Sequence, residues 1–167
     1  MILTTERLVL RPQENRDSAA LFTILGDPEA MRFWSRPAIA RLAVVQEIVA
    51  EQQEAMAQGI CRYWTATEQG DAIGSVDLSL IRDDAAELGF LFRRDRWGLG
   101  LASEAAKAVV GHALGALGLH RLVATCQEHN FSARRVLEKS GFEPVDRREV
   151  VLPGGDQRVC LFYRCGQ

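Results

Sequence analysis

A chain of 167 residues with 47% apolar and 25% charged side chains is long enough to bury a core of its own and has the composition of an ordinary globular protein. Its formal charge of −2 gives no basic field for nucleic acid or an acidic membrane surface. No apolar run reaches the roughly 18 residues that a membrane-spanning helix requires.

Met1–Arg7 lacks the charged-then-apolar layout of a secretory leader, so a cytoplasmic location is expected. Cys61, Cys126, Cys160 and Cys165 form neither a Cys-x-x-Cys pair nor a zinc pattern, and read as free thiols. His112, His120 and His129 have no paired-ligand spacing, so no metal is expected.

In chain order, residues 6–11 alternate polar and apolar as a first strand that Pro12 ends. Residues 17–25 read as a short helix capped by Asp17 and broken at Gly26-Asp27-Pro28. The segment 31–37 sets two aromatics and two arginines beside a proline. Residues 40–58 read as a second helix with Val44, Ile48, Gln52 and Ala55 on one face, stopped by Gly59. Strands follow at 61–67, 72–81 and 86–92, with turns at Gln69-Gly70-Asp71 and Asp83-Asp84. A helix over 101–117 carries an apolar stripe from Ala106 through Val109, Val110, Ala113 and Leu114 to Leu117, and Gly118 ends it. A strand at 120–126, a helix capped by Asn130 or Ser132 and running to Lys139, and strands at 149–152 and 158–163 joined by Pro153-Gly154-Gly155-Asp156 complete the chain. This order predicts a mixed α/β sandwich around one sheet, residues 1–167 forming one domain without repeats or linkers.

The most informative stretch is Trp97-Gly98-Leu99-Gly100-Leu101-Ala102-Ser103-Glu104-Ala105. Small residues between a strand and a helix start present unpaired N–H groups to an anion. A P-loop would need Lys after Gly100, where Leu101 stands. A dinucleotide fingerprint would need a strand directly before the glycines and an acid near Gly118, and both are missing.

The stretch resembles motif A of the Gcn5-related N-acetyltransferases (GNAT), in the Trp-Gly-x-Gly form of their RimJ/RimL-like branch. Glu6–Arg11, Asp27-Pro28-Glu29, Met31–Trp34, Glu87–Phe90 and Gly118–Leu122 are similar to further parts of that branch. So is Asn130-Phe-Ser-Ala-Arg-Arg-Val-Leu-Glu-Lys-Ser-Gly-Phe142, and the likeness covers nearly the whole chain. It implies a mostly antiparallel central sheet flanked by helices, with a splayed strand pair holding the arm of acetyl-CoA, and acetyl transfer to an amine by direct attack in a ternary complex.

The residues implied for the cofactor are Phe90, Leu91, Phe92, Arg94, Gly98, Leu99, Gly100, Leu101, Ala102, Ser103, Asn130 and Arg135. Asn130 is open to two roles, a bond to the pantetheine and a helix cap. Glu87 is the expected base acting through water, and Ser132 the expected hydroxyl at the leaving thiolate, each against a purely structural alternative. The family's tyrosine position is Leu137 and the branch's serine position is Ala133, which leaves room for a rival reading as a non-catalytic acyl-CoA-binding module. Glu104 reads as a first-turn acid that suits the helix dipole. Phe33, Trp34 and Arg36 either border the acceptor pocket or are local packing. The implied partners are an amine acceptor, either a peptide N-terminus or a small molecule, with no nucleic acid and no membrane; a homodimer is compatible with the resemblance.

Overall fold

The computed structural model describes residues 1–152 and 155–166. Of the last expected turn, Pro153 and Gly154 lie outside the described residues. Among the described residues, eight strands form one sheet in the order β1-β2-β3-β4-β5-β6-β8-β7. These are β1 (Leu3–Thr4), β2 (Val9–Pro12), β3 (Arg62–Glu68), β4 (Asp71–Arg82), β5 (Ala85–Phe92), β6 (Arg121–Gln127), β7 (Glu143–Val151) and β8 (Gln157–Gly166). The helices are α1 (Ser18–Leu25), α2 (Leu42–Ala57), α3 (Leu101–Leu114) and α4 (Phe131–Lys139). Every neighbouring pair is antiparallel except β5–β6, the parallel pair that α3 connects. No helix among the described residues is long and apolar enough to cross a membrane.

The helices take opposite faces. The buried stripe of α3, including Ala106, Val109, Val110 and Ala113, packs with Leu137 of α4 against sheet residues such as Val76, Leu78 and Leu88. On the other face, Leu21 of α1 and Val45 and Val49 of α2 form a second cluster with Ile39. The inward residues of α2 are therefore one position beyond the expected Val44 and Ile48, which flank the cluster half-buried. Gln52 leaves that apolar face and accepts from Gln13 Nε2 at 2.6 Å.

Four further sequence expectations change. Asp17 precedes α1 without capping it, because its carboxylate is spent elsewhere: it pairs with Arg11 and accepts from Thr65 Oγ1 at 2.7 Å and from the Glu14 N–H at 2.9 Å. The first strand is displaced to Val9–Pro12, with the short β1 added outside it. Helix α3 stops at Leu114, where Gly115 is the C-cap, one turn before Gly118. Strand β7 begins at Glu143 instead of 149; as the sheet edge it is exposed almost throughout, so its sequence shows no alternation of apolar and polar residues.

Candidate active site

The parallel pairing of β5 with β6 lasts three rungs, Ala85↔Arg121, Ala86↔Leu122 and Glu87↔Val123. Beyond Glu87, β5 stays bonded to β4 as far as Gly74↔Phe92, while β6 stays bonded to β8 as far as Gln127↔Cys160. The two strands therefore part, and the backbone of 88–92 presents unpaired donors and acceptors along one edge of a V-shaped gap. The backbone of Leu88 and Phe90 and the Phe92 N–H turn toward the gap, while Leu91 bonds to Ser75 of β4 and the Phe90 and Phe92 side chains pack in the core.

Each arm of the V runs into a helix start. After β5 the chain makes one 3-10 turn, Arg94–Arg96, and then turns through Gly98 (φ 75°) and Gly100 (φ 79°), left-handed conformations that glycine adopts without strain. Gly100 is the N-cap of α3, and the first α-helical bond runs from the Glu104 N–H to the Gly100 carbonyl. The N–H groups of Leu101, Ala102 and Ser103 are then the orphan donors of the helix start, at the positive end of its dipole. Trp97, 45% exposed, folds back so that Nε1 donates to the Phe92 carbonyl at 2.8 Å and ties the loop to the end of β5. Leu99 is exposed, and its carbonyl accepts from Arg7 Nη1 at 2.9 Å.

Glu104 is committed to structure. Oε1 accepts from Thr5 Oγ1 at 2.6 Å and from the Arg7 N–H at 2.8 Å, and Oε2 accepts from Arg7 Nε at 2.7 Å. Burial pushes its carboxyl up, but the bonds from Thr5 and Arg7 outweigh that and hold it below the usual range. The neighbouring arginines are also engaged: Arg93 with Asp71 and Asp95, Arg94 with Asp27 at 3.2 Å, and Arg96 with Glu68 at 3.1 Å.

At the other arm, Asn130 Oδ1 accepts from the Ala133 N–H at 3.1 Å and caps α4. The cap uses only the amide oxygen, so the NH2 group keeps its donors. Ser132 and Arg135 are exposed on the first turns of α4, and Arg135 lines a shallow groove with Phe131, Arg134 and Glu138. Leu137 is buried in the core beneath.

The loop between α1 and α2 is anchored to the far arm of the V. Gln127, the last residue of β6, donates through Nε2 to the Phe33 carbonyl at 2.8 Å, and Arg158 Nη1 of β8 donates to the Arg32 carbonyl at 3.1 Å. Phe33 and Trp34 are half-buried there, with the Arg32 guanidinium 4.5 Å from the centre of the Phe33 ring, and Arg36 is exposed. Packing and a pocket border thus coincide in one loop.

Two polar residues of this region carry no motif. Asp77 of β4 and Tyr63 of β3 are register partners on the face opposite α3, in line with Gly89 of β5. Burial and the charge of Glu87 push the Asp77 carboxyl up to about 7, against a bond from Ser79 that lowers it. Burial also raises the Glu87 carboxyl, and raises the Tyr63 phenol more strongly. The only signal available in sequence was an acid within an apolar strand run, at Asp77 between Val76 and Leu78.

A family model described as an acetyltransferase (GNAT) domain matches residues 7–143. The uncharacterized N-acetyltransferase YoaA of Bacillus subtilis is 28% identical over 148 residues, 85% of this chain and 82% of that protein. A GNAT-family acetyltransferase structure from Bacillus anthracis superposes with a TM-score of 0.90 at 22% identity, over 99% of this chain and 98% of the other. RimL, a ribosomal L7/L12 α-N-protein acetyltransferase solved in complex with coenzyme A, superposes with a TM-score of 0.89 at 18% identity, again over 99% and 98%. The first of these matches spans most of the site described above, from Arg7 at the glycine loop through the V to the start of β7, and the chain belongs to the GNAT family of N-acetyltransferases.

Proposed function

We propose that residues 1–167 act as one domain that transfers an acetyl group from acetyl-CoA to a primary amine, with an α-amine as the favoured acceptor. The observation that carries this reading is the parting of β5 from β6 after Glu87, with a helix N-terminus at the end of each arm. An extended amide-bearing arm can bond to the open edge at 88–92 as an added strand does. The residues present fit such a group: Gly98 to Ser103 supply N–H donors for a pyrophosphate, with Gly98, Gly100 and Ala102 small enough for close approach. Arg94 and Arg135 add positive charge at the two helix starts, and the Asn130 amide offers a donor to the arm. When bound, acetyl-CoA supplies an activated acyl group as a thioester.

Glu87, at the point where the strands part, attracts the acceptor's ammonium group and assists loss of its proton through water. At pH 7 deprotonation costs about 4–5 kcal/mol for a lysine-like amine but only about 1 kcal/mol for an α-amine. A modest base therefore suffices for an α-amine, which is why that class is favoured. Ser132 supplies a hydroxyl for the leaving thiolate, and Phe33, Trp34 and Arg36 border the acceptor.

Calorimetry with acetyl-CoA, followed by thiol release with a panel of peptides and small amines, tests the reading. Binding together with turnover on α-amines is expected, and no binding of CoA overturns it. A non-catalytic acyl-CoA-binding role is favoured only by Leu137 and Ala133 at the family's acid positions. Tight binding without turnover on any amine selects that role.

A further inference from the structure

Gly89 stands directly opposite Asp77 on β5, two residues past the last rung that β5 makes with β6. A Cβ placed on Gly89 would meet Asp77 Oδ1 at 2.5 Å and Oδ2 and Cγ at 3.0 Å. The Asp77 carboxylate therefore fills the space that a side chain on β5 would occupy, and leans from β4 across β5 toward the gap. Glu87, one outward position earlier on β5, is opposite Ser79, diagonal to Asp77. The two acids meet on the face away from α3, on the side of the sheet that carries α1, α2 and the loop anchored by Gln127.

From this geometry we propose that Asp77 is the group that finally takes the acceptor's proton, with Glu87 beside it attracting the ammonium and passing its proton on through water. The inference deepens the acetyl-transfer reading and rests on it. The step is a proton transfer: one N–H bond of the ammonium breaks, its electron pair stays on nitrogen as the nucleophile, and an O–H bond forms on Asp77. That proton later passes to solvent.

The groups facing Asp77 agree with this role. Beside it stand the Cys61 thiol, just before β3, and the Tyr63 phenol of β3, both raised mainly by burial and so neutral near pH 7. From β5 comes Glu87, and from β4 itself the Ser79 hydroxyl. Helix α1, which packs on β4, has the sequence SAALFTIL and contributes no titratable side chain. Arg36 lowers the Tyr63 phenol slightly against its burial. A carboxyl that titrates near 7 takes protons effectively at neutral pH, where an ordinary carboxylate is too weak a base.

The test uses the full chain, acetyl-CoA and the best α-amine peptide of the panel. Asp77→Asn should lower kcat about 100-fold and abolish the limb of the pH–rate profile that rises through about pH 7. Its affinity for CoA should stay within about twofold, which reports an intact fold. Carbon-13 carboxyl titration of the free protein should show an aspartate with a midpoint near 7 that Asp77→Asn removes and Glu87→Gln moves downward. Gly89→Ala keeps the charge but displaces the carboxylate with its new methyl group, and should lose rate in the same way. An Asp77→Asn protein with full kcat and an unchanged profile overturns the inference and leaves the acetyl-transfer reading standing. A wild-type chain that binds CoA and turns over no amine overturns both.

Discussion

Glu104 and Arg7 hold the start of α3 to the N-terminal segment: the Glu104 carboxylate receives the Arg7 backbone N–H at 2.8 Å and its Nε at 2.7 Å, and Arg7 Nη1 returns to the Leu99 carbonyl at 2.9 Å. A residue from the beginning of the chain thus sets the glycine loop nearly a hundred positions later. Glu104→Ala should cost about 2 kcal/mol in urea denaturation, as expected for bonds to a charged acceptor. It should also weaken CoA binding, measured by calorimetry, because the loop loses its anchor.

Gly100 tests the loop from its backbone. Its φ of 79° is costly for an L residue, while the nearest atom to an added Cβ, Arg7 Nη2, is at an ordinary 3.6 Å. Gly100→Ala should therefore cost about 1–2 kcal/mol from conformation alone. The methyl group would also stand where a phosphate approaches, so the Kd for CoA should rise about tenfold or more, a loss of at least about 1.4 kcal/mol. An unchanged Kd would remove the loop from the binding site.

Gln127 separates the two substrates. Its bond to the Phe33 carbonyl holds the α1–α2 loop over the far arm of the V. Gln127→Ala should raise KM for the acceptor several-fold and leave the Kd for CoA close to wild type, since the glycine loop is untouched. Steady-state kinetics with either substrate varied checks the split.

Asp17 is the main acid-sensitive element of the fold. It is 2% exposed, and although burial pushes its carboxyl up, bonds from Arg11, the Glu14 N–H and Thr65 bring it below the usual range. A depressed carboxyl contributes stability that is present above the unfolded value, about 3.9, and is lost as the pH falls through the native value. Asp17→Ala should cost about 2–3 kcal/mol near pH 7, because it leaves the half-buried Arg11 and the buried Thr65 hydroxyl without their partner. The difference from wild type should shrink as the solution is acidified below about pH 4, measured by thermal denaturation across pH.

The order of elements, the stripe of α3 and the glycine loop were legible because each rests on patterns that are local in the chain. The partners of Asp17 were not, since Thr65 is 48 positions away and the acid looks locally like an ordinary cap. Asp77 was hidden for a subtler reason. Counted outward from the Asp83-Asp84 turn, where Arg82 pairs with Ala85, Asp77 would fall opposite Phe90 on the wrong face. The register shifts between Ser79 and Arg82, with Leu80 at a φ of 51°, and this bulge brings Gly89 opposite Asp77 instead. Nothing in the residue types around Leu80 announces such a bulge.

The three rungs between β5 and β6 divide the sheet into two leaves, a leading meander from β1 to β5 and a trailing group of β6, β8 and β7. Main-chain bonding across that seam is sparse, so a substrate seated in it under the proposed function serves as a removable splint. A ligand that binds only the folded chain adds about 2.7 kcal/mol at a hundred times its Kd. Here that gain falls on the seam between the two leaves, and each turnover relaxes that join and makes it again.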